Sequence, residues 1–181
     1  MKIRDLLVGT QPKSVGGVED GYLLEEDSLQ EVELVDVWVD TTWASVALLV
    51  DLRGALQLDE GNAGVVLLSG IRDLNWQFPG EQWVPVARTI LASSFEVGTS
   101  ITASVGVEGG GGTIGLRARR CSIWTGDIPG MSEAPPNYVE DPRDAVDRET
   151  PAWDSEFVPL RWAVAVALTD PAPTAGRVPS E

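Results

Sequence analysis

The run "EVELVDVWVDTTWASVALLVDLRG", residues 31–54, decides the fold class. Its first ten residues are rich in valine and alternate charged with apolar side chains, as a pleated, half-buried strand requires. Asp40, Thr41 and Thr42 read as a turn. Beyond it Ala44, Val46, Leu48, Val50 and Leu52 fall on one face, opposite Trp43, Ser45, Ala47, Leu49, Asp51 and Arg53. A period of two with a firmly apolar side marks a second strand that borders the core.

The same rhythm continues outward. "DEGNAG" (59–64) is a turn cluster, and "VVLLSGIRDLNWQF" (65–78) reads as one further strand with Gly70 as a bulge or kink. "PGEQWVP" (79–85) breaks the chain before "ARTILASSFEVG" (87–98) and "SITASVGV" (100–107). In the latter, Ile101, Ala103, Val105 and Val107 share a face. Strands so regularly punctuated, with no long helical periodicity between them, predict an all-β fold, mainly an antiparallel sandwich or partly open barrel. No internal repeat stands out.

Four glycines, Gly109–Gly112, precede the densest basic cluster of the chain, "TIGLRARR". A phosphate-binding loop needs a lysine after its last glycine and a helix to open. Here no lysine follows, and Ile114, Leu116 and Ala118 alternate with Arg117 and Arg119, which is a strand. The glycines are therefore expected to join two strands in a hairpin. Arg117, Arg119 and Arg120 either neutralise carboxylates across the sheet or form an anion-binding patch, since guanidinium groups offer paired contacts. The alternation slips at Arg120–Cys121, where a bulge is expected.

Past Gly126 the composition changes. Residues 129–155 are rich in proline and carboxylates and read as an acidic loop insertion with at most one short helix, capped by Asp141 with Pro142 at its first position. "VPLRWAVAVAL" (158–168) is apolar on both faces, as a strand covered on both sides or a closing barrel strand would be. The expected organisation is a segment 1–28 packing on a single β domain of residues 29–170, followed by a disordered tail, residues 171–181.

Composition narrows the function. The chain of 181 residues is 43% hydrophobic, enough for a real core. It contains no histidine and one cysteine, Cys121, so triad hydrolysis, internal disulfides and Cys/His zinc sites are all excluded. Twenty-eight acidic residues against 13 basic ones leave a formal charge of −15, which repels nucleic acid and attracts a basic protein. A genome that favours Asp, Glu and Arg would produce the same excess; the only lysines are Lys2 and Lys13. No apolar stretch approaches the roughly 18–20 residues of a membrane helix, and the N-terminal apolar run is too short for a secretory signal, so a cytoplasmic location is expected.

Seven tryptophans dominate the aromatic content. Trp38, Trp76 and Trp162 lie inside strand-like runs and are expected in the core, whereas Trp43, Trp83 and Trp153 fall in turns or loops, where they could anchor a partner or stack on a sugar. Carboxylates cluster at Glu25, Glu26 and Asp27, at Asp141, Asp144 and Asp147, and at Asp154 with Glu156. None matches the twelve-residue calcium loop, so no metal or cofactor is expected.

The central run, residues 31–76, with its strand ending in Asp-Leu-Arg and its closing "GIRDLNW" phrase, resembles the small all-β immunity and immunity-like proteins of bacterial polymorphic toxin systems and related actinobacterial proteins. The resemblance implies a cytoplasmic, non-enzymatic protein that occludes a basic toxin, often a nuclease, and supplies no catalytic residues. Candidate partner-binding positions are Glu25, Glu26, Asp27, Trp43, Trp83, Trp153, Asp154 and Glu156. The alternative is a small-ligand or carbohydrate-binding sandwich that uses its loop tryptophans. A hydrolase built on paired carboxylates comes third, because no motif supports it.

Overall fold

Alternation produces ten strands: β1 (Val18–Glu19), β2 (Val32–Asp40), β3 (Ser45–Asp51), β4 (Ala63–Ser69), β5 (Asp73–Gln77), β6 (Thr89–Val97), β7 (Ile101–Val107), β8 (Gly112–Ala118), β9 (Arg120–Asp127) and β10 (Val158–Val166). The computed structural model describes residues 1–8, 15–77, 88–108 and 112–168. All ten strands belong to one sheet of order β1-β10-β9-β4-β3-β2-β6-β7-β8-β5, antiparallel except where β1 runs parallel to β10. The fold is all-β, an open sheet curled on itself as a sandwich or open barrel. Inner faces of β2, β3, β4, β9 and β10 meet those of β6, β7 and β8 in one apolar cluster that includes Leu48, Leu68, Ile101, Ile114 and Ile123.

The curl has a visible origin. Gly70 adopts a φ of 65°, and β4 stops there, so the run from Val65 to Gln77 forms two strands rather than one. Antiparallel to β4–β5, β9 and β8 bend at the same level, around Arg119. The two pairs continue one ladder, from Ala63↔Gly126 through Ser69↔Arg120 to Gln77↔Thr113, so a bent two-stranded ribbon passes from one layer to the other. Val107↔Gly112 pairing joins β7 and β8 as a hairpin. The glycines 109–111 within it, the tail 171–181 and Trp83 lie outside the described residues.

β2 carries a bulge between Leu34 and Asp36. One extra residue reverses which side faces in. Val32 and Leu34 are buried in the inner cluster, but beyond the bulge Val37 takes the inner side and Trp38 is turned outward, 47% exposed. Trp38 is therefore not a core residue. Nor is Trp76, 39% exposed on β5, the edge strand whose residues are exposed throughout. Trp162 is buried, as expected, and so is Trp124.

β3, β4 and β9 are buried on both faces. A second apolar cluster of Ala47, Leu49, Val65, Leu67 and Trp124 lies on their outer side, under Ile3, Leu6 and Phe157. Ile3 and Leu6 belong to a 3-10 helix, Ile3–Val8, where side chains three residues apart eclipse and both reach the sheet. The helix is held from the far end of the chain: Lys2 bridges Glu156, Ile3 N donates to Ser155 O (3.1 Å) and Arg4 N to Trp153 O (2.9 Å).

The proline-rich segment crosses the same outer face and contains a short helix, α1 (Arg143–Glu149). Its N-cap is Pro142, without a side-chain cap; Asp141 instead accepts a bond from Asn137 N at 2.8 Å within the preceding turn. The segment is fixed by a buried ion pair. Arg53 Nη2 lies 2.5 Å from Asp51 Oδ2, and Arg53 also donates to Ser132 Oγ (3.0 Å), Ala134 O (2.9 Å) and Glu149 O (2.6 Å). Tyr138 donates its hydroxyl to Asp51 at 3.1 Å. Burial opposes the charge on Arg53, but the Asp51 hydrogen bond and attraction outweigh it and hold the guanidinium pKa above its ordinary value. Burial and the Asp51 charge push the Tyr138 hydroxyl strongly up.

Candidate functional site

Two coverings of the outer face, the 3-10 helix and the proline-rich segment, leave a cleft of about 920 Å³ between them. A volume of that order suits a small molecule. Its walls follow from register. Asp40, Ser45, Ser69 and Arg120 are successive cross-strand neighbours on β2, β3, β4 and β9, which puts all four in one row on the outer face. The next row is Trp38, Ala47, Leu67 and Ser122, and Trp124 follows on the floor.

Three tryptophans wall the cleft, each placed by identifiable chemistry. Trp38 owes its outward direction to the β2 bulge. Trp153 meets it edge-to-face, with ring centroids 6.2 Å apart and planes at 70°. The Trp153 indole N–H donates to Asp36 Oδ2 at 2.7 Å, which fixes that ring. Trp43 stands at the β2–β3 hairpin tip, where Asp40 Oδ1 accepts from the N–H groups of Thr42 and Trp43 at 2.9 and 3.0 Å. This side-chain turn, with Ala44 at a φ of 47°, leaves Trp43 79% exposed at the rim. Arg4 and Asp154 pair at 2.5 Å across the mouth. Buried Trp124 forms part of the floor, and its Nε1 has no acceptor among the described residues.

Of the sequence candidates, Trp43, Trp153, Asp154 and Arg120 converge on the cleft. Glu156 serves the bridge to Lys2. Glu25–Asp27 lie apart: Asp27, at a φ of 58°, exchanges bonds with the Ser93 backbone (2.7 and 3.0 Å) and so anchors a turn. The three arginines do not form one patch. Arg117 pairs with Asp73, its cross-strand neighbour, at 3.0 Å, and Arg119 lies exposed over Gly70. Asp144 and Asp147 make helical pairs with Arg148 and Arg143. Sequence reasoning missed Trp38, Asp36 and the serine row. The signal for the row was three outward serines within otherwise apolar strands.

A second cleft, about 570 Å³, lies between β2 and α1, with Glu33 and Asp36 on one side and Arg143 and Asp147 on the other. Burial raises the Glu33 pKa, the Thr89 hydroxyl at 2.7 Å pulls it partly back, and the charges of Asp51 and Glu108 add to the rise. Cys121 is sealed in the inner cluster, where burial pushes its thiol up to about 12. Among the described residues no cluster of three or more carboxylates or thiols is arranged to hold a metal ion, and no helix is long and apolar enough to cross a membrane.

No family model, curated protein or solved structure matches the chain.

Proposed function

We propose that the protein is a non-enzymatic binding module whose outer-face cleft takes a small ligand with a flat ring, a sugar or an aromatic group. The observation that carries this reading is the set of three tryptophans around one cleft that is also lined by Ser45, Ser69 and Ser122. Indole faces attract the apolar face of a ring while hydroxyls satisfy its edge, the usual composition of a small-molecule site. Support for a binding rather than catalytic role comes from the absence of histidine and from the buried, unreactive thiol of Cys121. Calorimetry and tryptophan fluorescence with glycans and simple aryl compounds test it. Trp43→Ala or Trp153→Ala should weaken a binding ligand about tenfold, roughly 1.4 kcal/mol. A library that produces neither heat nor a fluorescence change sinks the reading.

A second reading is favoured by Trp43 itself, which at 79% exposure extends beyond what the cleft requires and rises above Asp40. On a surface of net charge −15, such a residue suits a hot spot for a basic protein, as the resemblance to immunity proteins implies. A purified basic partner whose binding is lost both at high salt and in Trp43→Ala would favour this reading.

A further inference from the structure

Resting on the reading of the cleft as a ring-binding site, we propose that its ligand carries a carboxylate on that ring, received by Arg120. The chain has far more acidic than basic residues, and six of its arginines, Arg4, Arg53, Arg117, Arg143, Arg148 and Arg161, sit within 4.0 Å of a carboxylate. Arg120 does not, among the described residues. Arg72 and Arg119 share that condition but are exposed to water, which solvates them. Arg120 is half-buried, lines the cleft, and among the described residues its only side-chain hydrogen bond is a long one, Nε to Ser122 Oγ at 3.4 Å. A cation partly withdrawn from water and left without a counter-ion is a site of unmet electrostatic demand.

Geometry aims that demand into the cleft. Arg120 and Ser122 are two residues apart on β9 and share its outer face, so the bond to Ser122 draws the guanidinium along the strand toward Trp124 and away from the end of the sheet. Ser69 is the direct cross-strand neighbour of Arg120, and it places a second hydroxyl beside the same group. Trp38 of the tryptophan wall stands on β2, three strand spacings away, or about 14 Å between backbones at ~4.8 Å each. With side chains reaching inward from both ends, the space between suits one substituted ring whose face lies on one indole of the wall and whose acid points to Arg120.

A carboxylate fits better than a phosphate or sulfate. One guanidinium offers a planar fork and one unit of charge, which match a planar monoanion. No second free cation lines the cleft among the described residues, because Arg4 is committed to Asp154 at 2.5 Å. The 3-10 helix is only six residues long and brings no helix dipole of consequence. A dianion would also meet twice the repulsion from a protein of charge −15.

The test uses matched pairs that differ only in the acid, titrated calorimetrically into the full chain: phenylacetate against phenylacetamide, and methyl glucuronoside against methyl glucoside. The pair that binds identifies the ring as aromatic or sugar. Its acid should bind about ten- to a hundredfold tighter than its neutral partner, the usual range for a hydrogen-bonded charge. Arg120→Gln should abolish that difference by weakening the acid far more than the neutral member, while Arg120→Lys, which keeps the charge without the fork, should restore part of it. Equal affinity of acid and neutral member for the unaltered protein overturns the carboxylate proposal but leaves the ring-binding cleft standing. Displacement of the acid by inorganic phosphate at equal concentration overturns it too. If no member of either pair binds, the cleft reading itself fails and the proposal falls with it.

Discussion

The two halves of the sheet are built from similar strands but are covered differently. β7 and β8 show strict alternation, with inward Ile101, Ala103, Val105, Ile114 and Leu116 buried and their neighbours facing outward, exposed or only partly covered. β3, β4 and β9 are buried on both faces, because the 3-10 helix, Phe157 and the proline-rich segment close over their outer side. Only the doubly covered half contains the tryptophan cleft. The lesson is that a sheet with one wet face has nothing to enclose a ligand with, whereas an incomplete second cover creates walls, a floor and a mouth.

The largest test of this contrast is the ion pair that fastens the second cover. Asp51→Asn leaves Arg53 buried without its counter-ion and should cost about 3–5 kcal/mol in urea unfolding. On the other half, Arg117→Ala removes an exposed pair with Asp73 and should cost under about 1 kcal/mol. Equal losses would mean that the covering segment is not anchored as described.

Glycine substitutions should differ even in sign. A Cβ on Gly126 of β9 would overlap Val158 O and stand 2.7 Å from Phe157 Cζ, so Gly126→Ala should destabilise by about 1–3 kcal/mol or more. On β7 a Cβ at Gly106 meets nothing nearer than Ala92 at 3.9 Å, and Gly106→Ala should stabilise by roughly 0.5–1 kcal/mol. Thermal melts of the two variants decide the matter.

The smallest effect belongs to the seam. Glu33 pairs with Asp51 on β3 and with Thr89 on β6, where the halves join. Its pKa is raised on folding, so from about pH 4.5 upward the folded chain keeps a proton that the unfolded chain releases. Stability from this group is therefore fully present below that pH and lost as pH rises through the folded value. Glu33→Gln should flatten this part of the urea-midpoint profile; an unchanged slope would remove Glu33 as its source.

Much of the singly covered half could be read directly, since one buried face leaves a clean period of two at Ile101–Val107 and Ile114–Ala118. The limits arose where geometry departs from that period. A bulge at Leu34/Asp36 reversed the facing of Trp38, and no local pattern distinguishes such a slip from continuous alternation. The bend at Gly70 divided one apparent strand between two layers, because its partner ladder bends at the same level around Arg119. The cleft was legible only in fragments. Trp43, Trp153 and Asp154 could be suspected as loop residues, but their meeting with Arg120 depends on the distant pairing of Ser69 with Arg120 and on the Trp153–Asp36 bond across 117 positions.

That long reach has a consequence for how the site comes into being. Arg4, on the roof, and Asp154, on the wall, lie 150 positions apart, and the roof helix hangs on Trp153 and Ser155. Trp38 and Trp43 are therefore in place once β2 and β3 pair, but the roof over them is held only when residues 153–157 dock. An occupant that touches both Trp38 and Trp153 ties the cover to the sheet, so whatever stability it adds will guard the docking of the cover rather than the pairing of the strands.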